Sequence, residues 1–357
     1  MRLLIKTKLN MKKAGLILAL MLTTTLTFAQ ETPAPATTFA GSADMYYKYD
    51  FSNQQGNGLT SFTGAHNSFQ LGMASIEASH KMGKASVFVD LGFGSRASEF
   101  TYNDDANTFM IKQLNFTYEF SDKFKVTAGS FGTHIGYELL DAVDNKNYSM
   151  SYAFTNGPFF NTGIKAQYTA GKVSFMAGVS NPTDFKSALD AGSTQKTFIG
   201  QIGYVGGTGS AYFNVTSGSV NPVSDKNVTQ YDIVASKKIT DAFSLGFNGT
   251  YASVADDFDS SLDGEWFSLV GYASYAVKEN VTLAYRLEYF DDKDALSANA
   301  IGGNILGNTL SLNYKSGNLT FIPEIRIDSS SVDTFSDSDA LPTGSNAYIL
   351  LATTYTF

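Results

Sequence analysis

What most constrains this chain is a strict alternation in the spacers between its period-two segments. From Phe39 onward, apolar residues recur at every second position in runs of about 10–14 residues separated by turn-forming stretches. Short spacers lie at 81–83, 121–123, 170–172, 206–209, 239–242, 278–280 and 316–318. Between them fall long polar connectors near 52–66, 96–108, 137–157, 182–195, 219–227, 256–263, 292–306 and 329–345. Successive antiparallel strands reverse direction, so all the short turns gather at one rim and all the long connectors at the other. That is the pattern of a transmembrane antiparallel β-barrel. It predicts an all-β chain of about 16 strands, to within one hairpin, with both termini on the short-turn side. Barrels of roughly 16–18 strands enclose an aqueous channel, whereas about 8 strands fill their own interior.

The faces of the strands agree. In the first strand, 39–51, Ala43, Met45, Tyr47, Tyr49 and Phe51 share one side, and Asp44, Tyr46, Lys48 and Asp50 the other. Leu114, Phe116, Tyr118 and Phe120 oppose Gln113, Asn115, Thr117 and Glu119; Val281, Leu283, Tyr285, Leu287 and Tyr289 oppose Thr282, Arg286 and Glu288. Leu319, Phe321, Ile325 and Ile327 oppose Glu324, Arg326 and Asp328. The apolar side must meet lipid, which leaves the charged side for the lumen. Pro323 cannot donate to a ladder, so a bulge is predicted there. Strand 67–80 and strand 265–277 alternate poorly and leave their facing open.

Residues 1–29 read as an export signal. Met11-Lys12-Lys13 is a basic start, 14–22 is apolar but too short to span a bilayer, and Thr27-Phe28-Ala29 offers small residues for cleavage after Ala29. Met1 and Met11 are both open as the start. Residues 30–38 read as a flexible Pro/Ala linker, and 39–357 as the barrel. No later run is apolar enough for a helical span, which does not speak against strands. Cleavage removes Arg2, Lys6, Lys8, Lys12 and Lys13 and no acid, leaving 20 bases against 33 acids, a balance of −13. Nucleic acid needs the opposite sign and is an unsuitable partner. There is no cysteine, hence no disulfide framework and no thiolate metal site.

One connector stands apart. Strand-like runs 124–136 and 159–170 flank about 20 residues, longer than most connections, that carry Glu138, Asp141, Asp144 and Lys146 beside Tyr137, Tyr148, Tyr152 and Phe154. It is too polar for a core element and too aromatic for a flexible linker. The expectation is a third outward loop folded partly into the pore. The last strand, 346–357, sets Ala347, Ile349, Leu351, Tyr355 and Phe357 on one face and ends in phenylalanine. Tyr355 and Phe357 resemble the terminal signal read by the barrel-assembly machinery.

The stretch Phe131-Gly132-Thr133 to Lys165, with Asn147-Tyr148-Ser149 and Thr155-Asn156-Gly157-Pro158-Phe159, resembles the β-barrel porin-2 (OmpL-like) family of Gram-negative outer membranes. The likeness is specific over about 40 residues and architectural elsewhere. It implies an outer-membrane porin that passes small solutes, and it supplies no particular substrate.

The candidate constriction combines the loop acids Glu138, Asp141 and Asp144 with the inward bases Lys48, Lys165, Arg286 and Arg326. Acids on a loop facing bases on a wall set up a transverse field that filters solutes by charge. No cofactor is called for. His66, His80 and His134 are the only histidines. His134, with Ser130 and Thr133 nearby, is the sole start of a Ser–His pair, and it lacks a nucleophile motif. The acidic tips Asp256, Asp257, Asp259, Asp263 and Asp333, Asp337, Asp339 miss EF-hand spacing, and Gly206-Gly207-Thr208-Gly209 reads as a turn because no helix follows. The reading is a passive diffusion channel for small hydrophilic solutes, weakly cation-preferring, in contact with outer-membrane lipid, its oligomeric state open. A non-conducting receptor or adhesin barrel is the rival, and a barrel lipase a more distant one.

Overall fold

The computed structural model describes residues 36–103, 108, 110–187, 195–219, 226–256 and 259–357. The signal segment 1–29, the linker up to residue 35 and Asp257 lie outside them. Among the described residues, sixteen strands of 8–15 residues close into one antiparallel barrel, each pairing with its neighbours in sequence. The last, Ser345–Thr356, closes the ring on the first, Ala36–Asp50. Six of the seven short turns hold two residues and the seventh, 239–242, holds four. The Gly-rich tetrad is one of them: Gly206 pairs with Gly209, and Gly207 takes φ +61°, where a side chain is strained.

Burial separates the two faces. On Val281–Asp292, Leu283, Tyr285 and Leu287 are exposed, while Arg286 and Glu288 between them are fully buried. Exposed leucine beside buried arginine inverts the rule for water-soluble proteins. It fits lipid outside and a protein-filled lumen inside.

Two strand ends and the placing of a bulge differ from the sequence expectation. The first strand begins at Ala36, because Ala36, Thr37 and Thr38 still find ladder partners in Lys81, His80 and Ser79. The strand leading into the third connector ends at Gly132 rather than residue 136, since the chain turns inward there. No bulge forms at Pro323. Its ladder to Gly303–Ser316 lapses after Ser311↔Glu324 and resumes in the same register at Tyr314↔Phe321, while pairing to the last strand runs through Pro323↔Leu351 unbroken. One lost N–H is absorbed on one side. Register shifts lie elsewhere, at Asp90/Leu91, Glu119/Ser121 and Ala276/Lys278, and where the first strand meets Ser68–Met82, between Ala43 and Met45, which explains why that second strand alternates poorly.

The core sits inside the barrel. Phe62 from the first long connector, Phe100 from the short helix Ser95–Phe100 in the second, and Met150 and Phe159 from the third form one apolar cluster with Phe160. Tyr148 packs with Tyr46 and Tyr348, and Tyr152 with Trp266 and Phe290, in two others.

Candidate functional site

The site is the third connector, residues 133–159, which leaves the rim and crosses the lumen. Its first turn lies along one wall. The Gly136 N–H donates to Asp232 at 3.1 Å and the Tyr137 N–H to Asn248 at 3.2 Å. The Tyr137 ring stacks on Tyr272 with centroids 4.2 Å apart. Gly246 makes this possible, for a Cβ there would stand 2.6 Å from the Tyr137 ring.

The connector is then fastened to strands six to eight places round the ring from its own roots. Arg286 Nη1 lies 2.7 Å from Glu138 Oε1. Its Nε lies 3.4 Å from Glu288, which also receives Arg326 at 2.9 Å; Arg326 Nε reaches Asp328 at 2.9 Å. Backbone groups of the connector complete this set. The Tyr148 N–H donates to Glu324 at 2.7 Å, the Tyr152 N–H to Glu288 at 2.7 Å, and Arg326 Nη1 donates to the Met150 carbonyl at 2.7 Å. Ser151 caps the short helix Tyr152–Thr155 by accepting from the Phe154 N–H, and its own hydroxyl donates to Glu138. On a third side, Lys112 Nζ lies 2.7 Å from Asp141 and 3.0 Å from Asp90, Ser75 donates to Asp141, and the Tyr148 hydroxyl donates to Asp44.

Four of the seven predicted constriction residues therefore meet at the loop: Glu138, Asp141, Arg286 and Arg326. They meet in contact, as neutralised pairs, and not as acids and bases facing one another across a gap. The other three stand elsewhere. Lys48 is buried beside the first connector, donating to the Thr63 carbonyl at 2.6 Å and lying over the Tyr348 ring. The Lys165 ammonium lies 3.9 Å from the centre of the Phe131 ring and has no acid partner among the described residues. Asp144 is exposed at the edge of the loop and is likewise without an ion pair among the described residues. Partial desolvation, and then the neighbouring Asp141, push its carboxyl above the usual carboxylate range.

Sequence reasoning missed Lys112, Asp90, Glu288, Glu324 and Asp328 as site residues. The signal was present, since all occupy lumen-facing positions of alternating strands; only the loop's landing place was not legible.

Space remains beside the loop. One cavity of about 270 Å³ touches His134, Tyr137, Gln201, Tyr212 and Asn214. Another, of about 220 Å³, is edged by Glu77, Asp90, Asp141 and Asp144 around Lys112. A third, of about 200 Å³, lies at the long-connector end against Trp266 and Gln230. His134 Nε2 is 2.9 Å from the Val215 carbonyl, and Ser130 Oγ has no hydrogen-bond partner among the described residues. The loop-tip acids serve their own turns: Asp337 Oδ1 accepts from the N–H groups of Asp339 and Leu341, and Asp263 accepts from that of Asp256.

Tyr355 and Phe357 are exposed on the outer face. Phe357 exchanges backbone hydrogen bonds of 3.0 and 3.1 Å with Gly41, extending the seam that closes the ring.

Solved structures share this architecture. The anion-selective porin from Comamonas acidovorans superposes with a TM-score of 0.62 at 12% identity, covering 90% of this chain and 100% of that one. OmpT of Vibrio cholerae gives 0.59 at 12% identity, covering 92% and 99%. The outer membrane channel DcaP of Acinetobacter baumannii gives 0.58 at 12% identity, covering 90% and 97%. At such identity the likeness speaks for the fold alone. No curated protein matches the chain in sequence. One family model spans residues 36–357, the whole of the barrel and its inward loop. The chain belongs to the family described as putative beta-barrel porin-2, OmpL-like, and is an outer-membrane porin by that membership.

Proposed function

We propose that the protein passes small hydrophilic solutes by passive diffusion through the space its third loop leaves open. The loop's fastening carries this reading: residues 138–152 are bonded to the far wall and to the Lys112 side, leaving cavities between loop and barrel. A wall bonded to a fixed loop narrows a lumen without sealing it, and such a channel needs no cofactor and no catalytic residue. Selectivity then follows from size and from the charges edging each gap.

The proposed ion preference is weakly for cations. Glu138 and Asp141 no longer support it as free charges, because Arg286 and Lys112 neutralise them. Its support is the cavity where Glu77, Asp90, Asp141 and Asp144 surround one lysine. The Comamonas porin is described as anion-selective; lumen side chains, which differ at 12% identity, set the sign, and not the shared fold.

The outward, lipid-facing placement of Tyr355 and Phe357 supports their reading as a signal for the assembly machinery. The deciding experiment is single-channel conductance of the purified full chain in planar bilayers. Discrete ohmic openings are expected, smaller than an empty barrel of sixteen strands would give. A folded, bilayer-inserted protein that never conducts would turn the assignment to a receptor or adhesin barrel.

A further inference from the structure

Three uncharged polar side chains that line the cavity at the long-connector end have atoms without partners among the described residues. Thr197, Thr216 and Gln230 line it from three adjacent strands, with Gln230 directly opposite Thr216 in the ladder. They are only 2%, 5% and 3% exposed, yet Thr197 Oγ1, Thr216 Oγ1 and Gln230 Nε2 have no hydrogen-bond partner among the described residues. Buried polar groups are nearly always paired, and leaving one unpaired costs about 1–3 kcal/mol. Three in one patch mark a place where something else supplies the bonds.

The surroundings define that something. The carboxylate on the rim, Asp184, already accepts from the Phe159 and Phe160 N–H groups at 2.7 and 2.9 Å and from the Tyr102 hydroxyl at 3.1 Å. No cationic side chain lines the cavity, and its one acid, Asp184, already has these three donors. Trp266, the only tryptophan in the chain, lines the same cavity, with Val228, Val254 and Leu296 as further apolar lining. A volume of about 200 Å³ corresponds to roughly seven waters at ~30 Å³ each.

We propose that this cavity binds a neutral polyhydroxylated solute of monosaccharide size. Hydroxyls on such a ring both donate and accept. They can satisfy two threonine hydroxyls and an amide N–H, while the C–H face lies against the indole. Water can occupy the same space, but it offers no apolar face to Trp266.

The proposal needs the lumen to be reachable from the long-connector side, and it does not need conduction. Because Trp266 is the sole tryptophan, tryptophan emission has one source, and that source lines this cavity. D-glucose is titrated into the folded full chain in liposomes, with potassium acetate as the charged control. A saturable change with glucose and none with acetate is expected. Gln230→Leu and, as the nearly isosteric second variant, Thr216→Val should each raise the half-saturation concentration about tenfold, a loss of about 1.4 kcal/mol. Heat-modifiable migration on gels identifies which variants are folded. Absence of a saturable glucose response, or an unchanged half-saturation in a folded variant, overturns the proposal. Binding without conductance would leave it standing and overturn the diffusion reading; conductance without binding does the reverse.

Discussion

The two sides of the barrel interior use polar residues in opposite ways. From Gly264–Lys278 round through the seam to Ile111–Ser121, the wall carries Arg286, Arg326, Lys112, Lys48, Glu288, Glu324 and Asp328, nearly all buried and committed to partners. From Phe160–Ala170 to Phe243–Asp256, the wall presents mainly threonine, serine, asparagine, glutamine and glycine, and its buried charge, Asp232, is enclosed by Asn214, Asn248 and Thr250. Charge on the first wall fixes a loop in place. Polarity on the second holds only the connector's first turn, through Asp232 and Asn248, and the rest is left to meet what passes. Buried ion pairs contribute little net stability, but they demand specific geometry, which suits a loop that must sit at one depth in a wide lumen.

The hardest test of this contrast removes one cation from the fastening wall. Arg286→Ala strands Glu138 without its cation and leaves Glu288 to Arg326 alone, a change worth about 3–5 kcal/mol when such groups are buried. The temperature at which the folded band converts on a heat-modifiability gel should fall clearly, and conductance should rise as the loop loosens. Gln230→Leu on the other wall should leave that temperature nearly unmoved. Equal losses on both walls would erase the distinction. A milder test leaves the charges intact and crowds the loop. Gly246→Ala sets a Cβ 2.6 Å from the Tyr137 ring, and overpacking of this kind costs about 1–3 kcal/mol. Conductance should change while the ion pairs at Arg286 persist; an unaltered channel would show that the Tyr137 turn has no part in the constriction.

The fold was legible because a barrel imposes its period on the whole chain. Alternation along each strand and alternation of turn and connector both survive single errors, so the misplaced bulge at Pro323 and the early strand end at Gly132 left the topology untouched. The inward loop was legible for a similar reason, since aromatic and acidic residues cannot all be satisfied in a solvated tip. Its landing place was not. Nothing local to Glu138 indicates Arg286, 148 residues away; only the closed ring brings them together. The same distance explains why three loop acids looked alike in sequence. Glu138 and Asp141 became structural, and Asp144, three residues on, remained without an ion pair.

That difference gives the finest test, on charge rather than stability. A triple change of Glu138, Asp141 and Asp144 to amides would unfasten the loop, so it mixes selectivity with structure. Asp144→Asn alone changes a carboxylate that holds nothing in an ion pair. The wild type should show a small cation-preferring reversal potential across a potassium chloride gradient, and the variant a smaller one at equal conductance. Screening shortens the reach of the charge from about 10 Å at 0.1 M salt to about 3 Å at 1 M, so the two should converge in concentrated salt. Acid should act in the same direction. An ordinary aspartate loses its charge near pH 3.9; partial desolvation and Asp141 raise the value for Asp144. Its negative form is complete well above that raised value and is lost as pH falls through it. The wild-type preference should therefore weaken on acidification before free aspartate would titrate, and the variant should lack that step. An anion-selective wild type, or a variant with the same reversal potential and the same acid step, would remove Asp144 from the selectivity site and pass the assignment to Lys165, a strand base with no acid partner among the described residues.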